Sequence, residues 1–111
     1  MLEQFKVSHD DAEFVQGDDL RKTAAGIFEK LGVPADDALL AADVLVLADL
    51  RGVDSHGVSN MLKSYITGYQ EGSINPRPNW KVIRETPSTA TIDSDRGLGT
   101  IVTPKAMEIA I

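Results

Sequence analysis

The stretch from Ala38 to Leu50 constrains this chain more than any other, because it is apolar on nearly every face and only Asp43 and Asp49 interrupt it. Pro34 just ahead of it fits a helix start but not a helix interior. Asp36 and Asp37 suit the positive end of a helix dipole. A helix over Pro34 to Gly52 is therefore expected. A helix that is apolar all round is normally buried by neighbours on several sides. That is a heavy demand on 111 residues, which have room for one modest core. Either other parts of a larger protein or a second copy of the chain is expected to cover part of this helix.

Two more helices flank it. Leu20, Ala24, Ile27, Phe28 and Leu31 follow helical spacing. Asp18 or Asp19 stands where an N-cap belongs, and Gly32 where a left-handed C-terminal residue belongs. The spacing predicts a helix from about Asp19 to Leu31. A third helix is expected from Asp54 or Ser55 to about Gln70. Val58, Met61, Leu62, Tyr65, Ile66 and Tyr69 form the ladder of one face. Ahead of these helices, Phe5 to Val7 reads as a short strand and Ser8 to Asp11 as a turn. Beyond them, Asn75-Pro76-Arg77-Pro78 is extended or turning. Trp80 to Glu85 and Thr89 to Asp93 are rich in β-branched residues, and Pro87-Ser88 between them makes a hairpin. A polar loop from Asp93 to Gly99 leads into a helix that begins near Thr100 and is still apolar at Ile111.

The fold class expected is α+β: a three-helix region, a short β-hairpin and the start of a further helix. Residues 1–75 form the helical part, and residues 76–111 open a second domain. The whole is expected to be a fragment of a larger α/β enzyme.

Composition narrows the function classes. Eleven Lys and Arg against 17 Asp and Glu give a net charge of −6, the wrong sign for a protein that neutralises phosphates. The absence of Cys excludes disulfides, thiolate metal sites and cysteine nucleophiles. The acidic residues show no metal-ligand clustering, so no metal is expected. No apolar run approaches the ~20 residues of a membrane span, and the first residues lack the features of a secretory signal. A cytoplasmic location is expected.

Chemistry concentrates between the second and third helices, in Asp49-Leu50-Arg51-Gly52-Val53-Asp54-Ser55-His56-Gly57-Val58. At 100° per residue the apolar ladder points one way, and His56, Asn60, Lys63 and Thr67 point the other. His56 is expected to face away from its own helix's core, within the first helical turn. Backbone amides there favour an anion such as a substrate carboxylate and disfavour imidazolium. A neutral imidazole is what a general base requires. Gly57 permits close backbone approach. The same run also reads as Asp54 and Ser55 simply capping a helix. Gly97-Leu98-Gly99 before a helix is too short for a phosphate-loop pattern, and His9 reads as solvated.

Taken whole, Ala48 to Val58, then Tyr65, then Gly72-Ser73-Ile74-Asn75-Pro76, resembles the N-terminal region of the non-Rossmann malate/L-lactate dehydrogenase family. Val82 to Thr86, Ala90 to Asp93, Gly97-Leu98-Gly99 and Ala106-Met107 agree in order and spacing. The resemblance implies an NAD- or NADP-dependent homodimeric oxidoreductase roughly three times this length, with residues 76–111 as the incomplete beginning of its nucleotide-binding domain, moving a hydride to or from C2 of a small malate- or lactate-like 2-hydroxy acid. It assigns His56 as acid/base and Ser55 as its orienting partner. Many members carry an Arg four residues after the histidine, where it meets the substrate carboxylate. Asn60 stands there in this chain, and Lys63 or Arg77 is left to supply the charge. The competing expectation is a non-catalytic helical dimerisation or interaction module, motivated by the apolar second helix.

Overall fold

The computed structural model describes residues 3–111. Four helices and one hairpin follow in order: α1 (Gly17–Lys30), α2 (Ala35–Leu50), α3 (Val58–Gln70), β1 (Lys81–Thr86), β2 (Thr89–Asp93) and α4 (Gly99–Ala110). This is the expected α+β arrangement. The strand expected over Phe5 to Val7 does not form. Glu3–Phe5 is instead one 3₁₀ turn, closed by the Lys6 amide donating to the Glu3 carbonyl at 3.0 Å. A strand needs a ladder partner, and β1 and β2 pair only with each other.

Helix α2 is the centre of the molecule, in contact with α1, α3 and α4. Its small residues Ala38, Ala41 and Ala42 let neighbouring helices approach closely. Leu45 fills the space between them, together with Phe28 of α1 and Ile101 of α4. Leu62 and Tyr69 of α3 are buried, and Val58, Met61, Tyr65 and Ile66 pack partly against the same core. The ladder read from the sequence is thus the buried face of α3. The demand that α2 makes on its surroundings is only partly met: Leu39, Leu47 and Leu50 remain exposed, Leu50 at 68 %.

The helix ends follow local chemistry. Gly32 takes φ +93° after α1, as a left-handed C-terminal residue should. The N-cap of α1 is Gln16, and Asp18 and Asp19 fall in the first turn rather than capping it. There Asp18 pairs with Arg21, which also reaches Asp43 of α2 at 2.7 Å.

In the hairpin, Lys81 pairs with Asp93 and Thr86 with Thr89, with a bulge between Val82 and Arg84. Nearly all of its residues are exposed. The segment before it is tied to the loop after it. Asp95 Oδ2 accepts from Asn75 Nδ2 at 3.0 Å and from the Asn79 amide at 2.8 Å, and Arg96 donates to the Gly72 carbonyl at 3.0 Å. Asp95 and Arg96 both have positive φ, 51° and 59°. That tight turn is closed by the Gly97 amide donating to Ser94. A half-buried ion pair, Lys105 to Asp37 at 2.6 Å, fastens α4 to the first turn of α2.

Candidate active site

The region expected to be one helix from Asp54 to Gln70 is two pieces. Asp54–His56 is a single 3₁₀ turn, and α3 begins only at Val58. Gly57 separates them with extended backbone, φ −86° and ψ −172°. His56 is therefore not in the first turn of α3 but in the turn ahead of it. Its exposure is as expected, for a different local reason.

One expectation falls with this: neither Asp54 nor Ser55 caps α3 with its side chain. At the α3 N-terminus the Val58 amide donates to Asp49 Oδ2 at 2.9 Å, so one of the first-turn amides is taken by the protein's own carboxylate. Gly57 serves that carboxylate: a Cβ at this position would overlap Asp49 Oδ1. Asp49 heads the run that the sequence marks as chemistry-bearing and interrupts the apolar pattern of α2, but sequence reasoning gives its side chain no role. It acts on groups eight and nine positions away, and local capping rules do not reach that far.

The remaining expected residues divide. Ser55 Oγ and His56 Nδ1 share a hydrogen bond of 2.9 Å, so these two side chains do meet. Asn60 Nδ2 donates to the Ser55 carbonyl at 2.6 Å. Asn60 is thus joined to the Ser55–His56 turn, and its amide N–H is committed to the protein. Lys63 is exposed, and among the described residues its ammonium has no ion-pair partner. Arg77 is exposed in the segment after α3, where its backbone amide donates to Asn75 Oδ1 at 3.0 Å.

Two tyrosines lie on the inner side of α3. Burial raises the Tyr65 hydroxyl above its ordinary value. Tyr69 is pushed up to about 12, first by burial, then by the Asp37 carboxylate and by Tyr65. Both stay protonated at neutral pH. A groove of about 710 Å³ runs between residues 7–15 and the end of α2, where Asp49 and Asp54 line it with Phe14, Leu20, Val46 and Leu50, but His56 does not. The imidazole stands on an open surface.

A nicotinamide dinucleotide would need a phosphate cradle. A Cβ on Gly97 would meet Val102, Pro78 and the Ser94 carbonyl at 2.7–2.9 Å, so this glycine serves packing. Helix α4 begins at Gly99 behind Leu98 with no side-chain cap, a bare helix end and nothing more. The described residues do not assemble a dinucleotide site. Nor do three His, Cys, Asp or Glu among them come together as a metal would require.

A histidine hydrogen-bonded to the neighbouring serine stands exposed on a turn between two packed helices. Comparison with known proteins gives the chain its family. The family model for malate/L-lactate dehydrogenase matches residues 15–111, and the chain belongs to that family. It is 48 % identical over 91 residues to an L-sulfolactate dehydrogenase of Methanocaldococcus jannaschii, covering 82 % of this chain and 26 % of that one. It is 44 % identical over 109 residues to a malate dehydrogenase of Pyrococcus abyssi, covering 96 % and 30 %. The structure of malate dehydrogenase from Pyrococcus horikoshii superposes with a TM-score of 0.87 at 45 % identity, covering 99 % of this chain and 31 % of that one. The chain thus spans between a quarter and a third of the length of these relatives.

Proposed function

We propose that the whole protein oxidises a small 2-hydroxy acid, and reduces the matching 2-oxo acid, with His56 as the acid/base. The observation that carries this is the 2.9 Å hydrogen bond between Ser55 Oγ and His56 Nδ1. With Nδ1–H donated to the Ser55 hydroxyl, Nε2 keeps its lone pair and faces outward, ready to take a proton. In the oxidative direction Nε2 accepts the proton of the C2 hydroxyl. The imidazolium so formed keeps its Nδ1–H bond to Ser55, which holds the ring in place. In the reductive direction Nε2–H returns that proton to the carbonyl oxygen.

A nicotinamide, NAD or NADP, supplies the hydride acceptor when bound. Lys63 is the free cation on the outer side of α3 and the group suited to the substrate carboxylate. The names of the relatives, malate and L-sulfolactate dehydrogenases, support a C2 hydroxyl flanked by a carboxylate and an acidic tail. An ammonium recognises such an acid as a point charge, without the planar fork of an arginine. The test is a rate assay of the whole protein with malate, lactate and sulfolactate, each with NAD and with NADP. Turnover of at least one pair is expected. No reduced nicotinamide from any pair would overturn the proposal.

A further inference from the structure

Neither the proton transfer nor the packing of the core explains Asp49. It sits in the last turn of α2, where the helix dipole disfavours a carboxylate and no basic residue offsets it. Its partners lie across the loop. The side chain accepts the Val58 amide at 2.9 Å, while its backbone carbonyl accepts the Gly52 amide at 3.0 Å. One residue therefore grips the Arg51-to-Gly57 loop at both ends. Within the loop the His56 amide donates to the Val53 carbonyl at 2.9 Å, and the Val53 amide to the Ala48 carbonyl at 2.9 Å. The carboxylate also fills the space beside Gly57, whose extended φ of −86° is open to any residue. The carboxylate, not the backbone, excludes a side chain next to His56.

We propose that Asp49 is a positioning residue for His56: it fixes the turn that aims Nε2, and Gly57 is the space that lets it do so. This rests on the acid/base reading of His56. The geometry makes two demands. Removing the carboxylate must loosen the turn, and adding a methyl at Gly57 must displace the carboxylate to similar effect. The two changes must then be non-additive, since each breaks the same contact.

The experiment measures kcat and KM of the whole protein for Asp49→Ala, Asp49→Asn, Gly57→Ala and the Asp49→Ala/Gly57→Ala double variant, at a temperature where circular dichroism shows each folded. A lost alignment lowers kcat about ten- to a hundredfold with KM little changed. Asp49→Asn keeps a carbonyl oxygen for the Val58 amide and recovers most of that loss. The double variant is no slower than the slower single one. A purely structural Asp49 would lower the melting temperature and leave kcat of the folded protein unchanged, overturning the proposal. So would full additivity. Should Asp49→Ala not fold, comparison of Asp49→Asn with Gly57→Ala carries the test, and equal, parental kcat in both overturns it. His56→Ala in the same series separates the two readings. If it retains parental turnover, the acid/base reading fails; if it alone is inactive, only the role of Asp49 fails.

Discussion

Tyr69→Phe should stabilise this protein. The Tyr69 hydroxyl is buried, and among the described residues it finds no hydrogen-bond partner. Leaving such a group unsatisfied costs about 1–3 kcal/mol. The ring itself is well used. It is 8 % exposed and packs edge-on against Phe28, with centroids 6.2 Å apart. Phenylalanine keeps that packing and removes only the oxygen. A gain of about 1 kcal/mol, the low end of that range, raises Tm by roughly 4–8 °C for a domain of this size. Thermal unfolding followed by circular dichroism measures it. The pH profile is a second reading. The folded pKa of Tyr69, about 12, lies above the ordinary 10. Below pH 10 both states hold the proton and the native preference is fully present. As pH rises from 10 towards 12, the unfolded chain ionises first and stability falls. Tyr69→Phe should lose less stability over that window than the parent. A Tm lowered by the substitution would refute the reasoning, because it would mean that the hydroxyl has a partner worth more than its desolvation.

Two further outcomes follow from the geometry. Lys105→Met strands the half-buried Asp37 carboxylate, and this loosening of α4 from α2 should cost about 1–3 kcal/mol in urea unfolding at neutral pH, between the values for exposed and fully buried pairs. On the proposed role of Lys63, Lys63→Met should raise KM for the hydroxy acid about tenfold or more while kcat changes little, because a contact made equally in ground and transition states affects binding alone; steady-state kinetics of the whole protein read both constants.

The helices were legible because their signals are local. The apolar ladder of α3, the all-round apolar α2 and the glycine after α1 each act within a few residues. The hairpin was legible for the same reason, through Pro87-Ser88 between two β-branched runs. What stayed hidden was long-range. The sequence from Asp54 to His56 offers local caps good enough to start a helix there. The break at Gly57 follows from Asp49, in the preceding helix, whose carboxylate takes the Val58 amide. Hence His56 was rightly expected to face outward, yet wrongly placed in the first turn of α3. The helix end that the sequence marks as anion-friendly has one of its amides, that of Val58, taken by Asp49. Asn60 shows the same limit. Its position beside His56 was readable, but its bond to the Ser55 carbonyl depends on a 3₁₀ turn that periodicity does not distinguish from the helix after it.

The central claim is that His56 carries the proton. Its most direct test is kcat of the His56→Gln variant of the whole protein against the parent, with a 2-hydroxy acid that the parent oxidises. Glutamine keeps a polar side chain at this exposed position and cannot accept the hydroxyl proton. Loss of general-base catalysis should lower kcat by about 10²–10⁴ with the melting temperature unchanged. Turnover within about threefold of the parent would contradict the account.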